Sequence, residues 1–219
     1  MTSTVTAADV RFDAAAHEYW IPGGARVPSV TEILGAVGVS VDFEELGERS
    51  PITFEAIERK RALGHALHAD AHAYDDDDLD LETVHADVRP YLEAWITFRQ
   101  NTGVRPLVRE RRVYHPAWRY AGTLDGLFVT PQGATVLVDI KTGDPTDSGC
   151  QWQTAGYAEA YRVDHPNDRI GLRWGVQLIP GKTIPYAVHP YDSWRDVLEF
   201  QAFVTTYYRQ ARRRISSKG

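Results

Sequence analysis

The amino-acid sequence predicts a mixed α/β protein in which helices cover the faces of one β-sheet. Helical periodicity dominates residues 52–101, three β-rich runs follow from Pro106, and a helix, two strands and a last helix complete the chain. A chain of 219 residues fits one domain with peripheral additions, because domains cluster near ~100 to 200 residues. Its 43% hydrophobic content is sufficient for a packed core.

The first two segments are predicted to be additions to the sheet. In residues 1–50, apolar residues alternate around Gly23 and Gly24, which predicts a hairpin, and Ser29 is placed to cap a short helix. Residues 52–101 form a helical part with one helix from Ile52 to Tyr74 and another from Val84 to Asn101. Between them lies the acidic run DDDDLDLE, which we expect to be a solvated loop because adjacent carboxylates repel.

Residues 105–191 are predicted to form the sheet core. The runs LVRERRVYHP, YAGTLDGLFVT and ATVLVDIKT are separated by turn residues and predict three consecutive antiparallel strands. A helix over 151–163 follows, then the strands IGLRWGVQLIP and TIPYAVHPY, and then a terminal helix over 193–214.

The composition excludes several classes of protein. The single cysteine, Cys150, rules out an internal disulfide, a CxxC zinc knuckle and an iron–sulfur cluster held by four thiolates of one chain. The sequence has neither a signal-like N-terminus nor a run of ~20 apolar residues. We therefore expect a soluble protein with no membrane partner, and the single cysteine fits a reducing cytoplasm.

Two acidic residues are symmetric about a predicted turn. Asp125 lies seven residues before Gln132 and Asp139 lies seven after it, so a hairpin centred there places them opposite each other. Cross-strand Cβ atoms in such a pair are ~5 Å apart, which is close enough for two carboxylates to share one hard cation.

Asp139 and Lys141 are two residues apart on the apolar run VLVDIK, so both side chains should point to one face of the strand. Burying these charges costs several kcal/mol unless they are paired or bound to a metal. An ordinary alternative exists for each residue alone: a salt bridge for Asp139 and Lys141, and a turn role for Asp125 beside Gly122 and Gly126. Two acids in register with a lysine favour a metal site over these alternatives. In a phosphodiester reaction the metal would polarise the phosphate and lower the pKa of a bound water, while the lysine would orient the nucleophile or offset developing negative charge.

The motifs GTLDG (122–126), VLVDIKTG (136–143) and QTAGY (153–157) resemble those of the PD-(D/E)xK nucleases, in particular the RecB-like and phage exonuclease branch. GHALH (64–68) resembles the helical G-x-x-x-H motif of that branch, and the Glu110 segment resembles its upstream glutamate. The resemblance covers roughly residues 60 to 160. It implies a restriction-endonuclease-like mixed sheet flanked by helices.

The resemblance also implies roles for individual residues. Mg²⁺ or Mn²⁺ would be bound by His68, Asp125, Asp139 and the backbone carbonyl of Ile140, and Lys141 would be the catalytic lysine. Supporting catalytic roles fall to Glu110, Gln153 and Tyr157. The second acid of the family is often glutamate and here is the shorter Asp139.

The histidines near His68 need separate assignment. The helical motif selects His68 as the ligand, and a histidine ligand implies that Mn²⁺ supports activity at least as well as Mg²⁺. His65 and His72 are predicted to be surface residues, although His72 shares the face of His68 at i+4.

DNA contacts are predicted at the basic C-terminal end and at nearby aromatic residues. Arg209, Arg212 and Arg213 could contact phosphates despite the net charge of −6. Trp152, together with Trp118 and Tyr120, could stack on an unpaired base. The alternative, which has equal weight, is that the arginines belong to a solvated helix end and the aromatic residues belong to the core.

Together with the site residues, the resemblance implies a metal-dependent deoxyribonuclease, in particular an exonuclease of phage or bacterial recombination or repair. The protein would be located in the cytoplasm of a bacterium or of a phage-infected host. Its partner would be linear duplex or single-stranded DNA, with a recombination or single-strand-binding protein as a further candidate. The alternative is a catalytically inactive nuclease fold that binds DNA or protein. A hydrolase of small phosphorylated substrates is disfavoured because no GxxxxGK[ST] loop occurs. The motifs leave polarity, strand preference, exonuclease or endonuclease action and oligomeric state open.

Overall fold

The computed structural model describes residues 5–39, 51–146 and 149–216, with the side chains of 51–54 and 214–216 left out. The later part of the predicted N-terminal addition, residues 40–50, lies outside these ranges. The helices are α1 (Val30–Ala36), α2 (Pro51–Asp75), α3 (Arg89–Thr102), α4 (Cys150–Asp164) and α5 (Arg195–Ser216). The strands are β1 (Arg11–Asp13), β2 (Glu18–Ile21), β3 (Ala25–Val27), β4 (Arg105–His115), β5 (Tyr120–Val129), β6 (Thr135–Lys141), β7 (Ile170–Leu178) and β8 (Tyr186–Pro190).

The main sheet has five strands in the order β4-β5-β6-β7-β8. The first three form an antiparallel meander, β6 and β7 are parallel, and β8 returns antiparallel to β7. The parallel pair requires a crossover connection, which α4 supplies. The predicted mixed α/β class and the order of strands and helices are confirmed.

The N-terminal segment forms a three-stranded antiparallel sheet, one strand more than the predicted hairpin. Its β2–β3 turn uses Gly23 and Gly24, whose φ angles of 88° and 79° favour glycine. The side chain of Ser29 accepts a hydrogen bond from the backbone N–H of Glu32 and so caps α1 as predicted. Tyr19 and neighbouring apolar residues of this sheet pack against the β4–β5 hairpin.

Two apolar cores hold the helices on the sheet. Trp95 and Phe98 of α3, with Leu67 of α2, pack on one face, which includes Val138 and Ile140 of β6. Residues of α1, α4 and α5 pack on the opposite face, which includes Leu137 of β6. Strand β6 is therefore buried on both sides, which agrees with its apolar sequence.

Part of the acidic run is not the solvated loop that the sequence predicted. Helix α2 continues through Asp75, whose side chain is fully buried and forms an ion pair with Arg99 of α3. Burial raises the pKa of Asp75 to about 6, although Arg99 and Arg109 oppose the shift. Residues 76–78 of the run are exposed as expected. Helix α3 begins at Arg89 instead of Val84, because 84–88 forms turns whose two valines pack into the core.

Candidate active site

The two acidic residues lie opposite each other where β5 and β6 separate. The β5–β6 register runs from Val129↔Thr135 to Gly126↔Val138, and one further step brings Asp125 level with Asp139. This register confirms the predicted turn centre at Gln132. At that step, a side-chain contact replaces the backbone ladder: Oδ2 of Asp125 accepts a hydrogen bond from the Ile140 N–H at 2.8 Å.

The normal alternation of side chains breaks at Asp125. Leu124 and Leu127 are three residues apart, yet both pack in the same core on the α4 side of the sheet, whereas regular alternation would place them on opposite faces. Glu110, which lies across from Asp125 on β4 between the pairs Arg109↔Gly126 and Arg111↔Leu124, has a left-handed φ of 44°. This irregularity allows Asp125 to reach α2, where its Oδ1 lies 3.4 Å from Nδ1 of His68.

Asp139 and Lys141 form a buried ion pair at the end of β6. Nζ of Lys141 lies 2.7 Å from Oδ2 of Asp139 and donates a hydrogen bond to Oε1 of Gln153 at 3.1 Å. The thiol of Cys150 donates to the same Asp139 oxygen at 3.2 Å. The other oxygen of Asp139, Oδ1, is buried and has no hydrogen-bond partner among the described residues.

Helix α4 fixes the lysine from the other side. Nε2 of Gln153 donates to the hydroxyl of Tyr157 at 3.2 Å, one helical turn further on. The ring of Tyr157 lies against Gly122, where an added Cβ would be only 2.5 Å from a ring carbon. Gly122, the first glycine of GTLDG, is therefore needed for the close approach of α4 to β5. The hydrogen bonds from Tyr157 through Gln153 to Lys141 orient the ammonium group of the lysine.

Burial dominates the electrostatics of the site. It raises the pKa of Asp125 to about 6, with His68 and Lys141 opposing the shift and Asp139 reinforcing it. Burial lowers the pKa of Lys141, but Asp139, Cys150 and Asp125 together outweigh it and the net shift is upward. Lys141 is therefore a charged hydrogen-bond donor at neutral pH.

His72 was predicted to be a surface residue, and this prediction is wrong. Its Nε2 is buried without a hydrogen-bond partner among the described residues, and its ring lies edge-on to His68 with centroids 6.2 Å apart. Burial lowers the pKa of His72, while Glu110 acts in the opposite direction. The i+4 spacing from His68 was the signal that could have identified it. His65 is exposed as predicted.

Cys150 is a second site residue that sequence reasoning did not identify. Its side chain is buried beside Asp139, and Gly175 of β7 leaves room for it: an added Cβ there would be 3.0 Å from the sulfur. Burial, followed by the charge of Asp139, raises the pKa of the thiol well above its usual value, so it remains protonated and can donate. Nothing in its sequence context indicated this contact.

The donors expected to bind a metal ion are brought together in part. His68 is next to Asp125, and Asp139 is next to Lys141, but within the described ranges no three His, Cys, Asp or Glu side chains form a group that could hold an ion. The donor types nevertheless fit a hard divalent cation. The partnerless Oδ1 of Asp139 is the observation that supports this fit, because a buried carboxylate oxygen normally has a partner. Glu110 is exposed on β4, across from Asp125.

The predicted DNA-contacting residues lie on and beside α5. Arg209, Arg212 and Arg213 line a groove on this helix. Nε1 of Trp152 donates to Glu199 of α5 at 2.6 Å. Tyr120 is fully buried and its hydroxyl donates to the Gly156 carbonyl, so the interpretation of Tyr120 as a stacking residue is wrong.

Comparisons with known proteins give no family for the chain. It matches no model of a protein family and no curated protein, so the resemblance to the nuclease superfamily rests on the motifs quoted above. Within the described ranges, none of the helices combines the length and apolar character needed to cross a membrane.

Proposed function

We propose that the protein is a Mg²⁺- or Mn²⁺-dependent DNA nuclease of the restriction-endonuclease-like fold. One observation carries the proposal: Asp125, Asp139 and Lys141 meet at the point where β5 and β6 separate, with His68 against the first acid and one buried oxygen of the second without a partner among the described residues. A purely structural ion pair would not require a second carboxylate in register. The meander followed by a helical crossover to a parallel strand is consistent with this fold.

The ion would be held by Asp125, Asp139, His68 and the Ile140 carbonyl. When bound, it would supply Lewis-acid polarisation of the scissile phosphate and a lower pKa for the attacking water. His68 orients Asp125 through the 3.4 Å contact. The N–H of Ile140 fixes the other oxygen of that carboxylate, which limits its freedom to rotate away from the phosphate.

Lys141 would stabilise the negative charge that develops on the phosphoryl oxygens. Its ammonium group is already oriented by Asp139 and Gln153, so little reorganisation is needed in the transition state. Tyr157 holds Gln153 in place. Because the site is largely buried on β6, the electrostatic interactions inside it are stronger than they would be in water.

The test measures cleavage of two substrates, linear DNA labelled at its 5′ or 3′ end and closed circular DNA, with Mn²⁺ or Mg²⁺ as the only divalent cation. The wild type should degrade the linear DNA and spare the circle, which is the result expected of an exonuclease. Asp139→Asn should abolish cleavage with the fold retained, while Asp78→Asn, a change in the exposed acidic loop, should leave it unchanged. Intact linear DNA with the wild type and both metals would refute the proposal.

A second candidate is an inactive nuclease fold that binds DNA or protein. It is favoured by the observation that Lys141 and Cys150 both contact Oδ2 of Asp139, so that donors of the chain itself satisfy this oxygen. This candidate predicts DNA binding in EDTA with no cleavage under any metal. It also predicts that Asp139→Asn changes neither property.

A further inference from the structure

Two adjoining grooves on α5 form one surface that the catalytic site does not use. They share Thr205 and Arg212. The first groove continues to Arg209 and Arg213, and the second continues to the β4–β5 turn at Trp118 and Arg119. We call the combined surface, from Trp118 to Arg213, the α5 groove.

The charge of the α5 groove is opposite to that of the whole chain. Four arginines line it and, among the described residues, no carboxylate does, although the protein has a net charge of −6. Three of the four, Arg209, Arg212 and Arg213, lie on the last turns of α5. Arg119 is held by the fold, because its backbone carbonyl accepts a hydrogen bond from the hydroxyl of Tyr208. Such a row of guanidinium groups is suited to a chain of phosphates.

Trp118 adds a rigid aromatic surface to this groove. Its ring stacks on His115 with centroids 4.5 Å apart and an angle of 16°, and its backbone N–H donates to Nδ1 of the same histidine at 3.1 Å. Trp118 lines the groove next to Arg119 and Arg212. A pre-positioned ring beside cations can stack on a base of an unpaired strand at little entropic cost.

We propose that the α5 groove binds a single strand of DNA, with its phosphates on the arginines and one base on Trp118. The identification of the ligand as DNA rests on the proposed function. The identification of the ligand as a polyanionic strand rests on the charge and shape of the groove. A duplex would hide its bases from the tryptophan, so the groove favours a single strand. Trp118 takes the stacking role in place of Trp152, because Trp118 lines the groove and Trp152 does not.

The test is the affinity of a fluorescent single-stranded oligonucleotide in EDTA, where no metal-dependent cleavage occurs, measured by anisotropy between roughly 50 and 200 mM salt. The triple variant Arg209→Gln, Arg212→Gln, Arg213→Gln should lower the slope of log affinity against log salt by about two, at ~0.7 per phosphate contact. Trp118→Leu should weaken binding about fivefold or more without changing the slope. The matched control replaces three exposed cations elsewhere by glutamine: Arg105, Arg169 and Lys182.

Circular dichroism establishes that each variant is folded. Wild-type affinity in the α5 triple variant, or an equal loss in the control triple variant, would overturn the proposal. Unchanged affinity in Trp118→Leu would overturn the proposed stacking of a base on Trp118. Tighter binding of duplex DNA or of RNA than of the single-stranded oligonucleotide would overturn the proposal that the ligand is a single strand of DNA. Binding of the strand by the wild type in EDTA without cleavage of DNA in Mn²⁺ would refute only the nuclease function. Cleavage in Mn²⁺ by a wild type that does not bind the strand at this groove would refute only the present inference.

Discussion

Replacement of Asp125 by asparagine should stabilise the metal-free protein and inactivate it. The side chain is 16% exposed, and burial, with a smaller contribution from Asp139, raises its pKa from 3.8 to about 6. A carboxyl whose folded pKa lies above its unfolded pKa destabilises the fold when ionised. The penalty is nearly absent below pH 3.8, grows between pH 3.8 and pH 6, and is complete above pH 6.

The size of this penalty follows from the shift. About two pKa units correspond to roughly 3 kcal/mol near pH ~7.5, since one unit is ~1.4 kcal/mol, and to less than about 1 kcal/mol near pH ~4. The asparagine in the Asp125→Asn variant would keep an oxygen to accept the Ile140 N–H. For a domain of this size, each kcal/mol raises Tm by roughly 2 to 4 °C. We therefore expect a Tm increase of several degrees above neutral pH that shrinks as the solution is acidified.

Thermal unfolding in EDTA from about pH 4 to about pH 8 measures this difference, with Asp78→Asn as the exposed control. Mn²⁺ should reverse the order, because an ion bound by the folded wild type stabilises it by mass action and the variant lacks the ligand. If Asp125→Asn melts at a lower temperature than the wild type above neutral pH in EDTA, ionised Asp125 does not destabilise the fold. A difference in Tm that is independent of pH would lead to the same conclusion.

Two further substitutions probe the surroundings of the metal site. Cys150→Ala removes the donor to Asp139 and should weaken Mn²⁺ binding, measured by calorimetry, by about tenfold. Cys150→Ser keeps a donor and should retain most of the affinity. Equal affinities of the two variants would contradict a positioning role for Cys150. Gly122→Ala forces the new methyl to within 2.5 Å of the Tyr157 ring and should cost about 1 to 3 kcal/mol in urea unfolding. Gly143→Ala, which meets no atom within 4 Å among the described residues, is its control, and similar midpoints for both would contradict this packing.

The sequence predicted the features that depend on local periodicity. The register of Asp125 and Asp139 followed from one turn centre and two apolar strands, and the proximity of Asp139 and Lys141 followed from alternation. Helix α2 and the cap at Ser29 followed from periodicity and residue type in the same way.

Features that depend on packing between distant segments were missed. The break in alternation at Asp125 arises where β4 and β5 both become irregular, and no local pattern announces it. Asp75 was expected to be solvated because its neighbours are acidic, but Arg99 of α3 pairs with it inside the fold. Cys150 was missed because its contact with Asp139 forms only when α4 packs beside β6. His72 was missed although its i+4 spacing from His68 was visible, because the burial of its Nε2 depends on the packing of α2 against the sheet.

The single-turnover rate of cleavage of linear DNA in Mn²⁺ decides whether Lys141 and its neighbouring carboxylates carry the proposed chemistry. Lys141→Met should slow cleavage by about 10²-fold or more, because it removes a preorganised positive charge from the transition state. Lys182→Met, at an exposed position in the β7–β8 turn, should cleave at the wild-type rate. Equal cleavage rates for the wild type and Lys141→Met would contradict a catalytic role for Lys141.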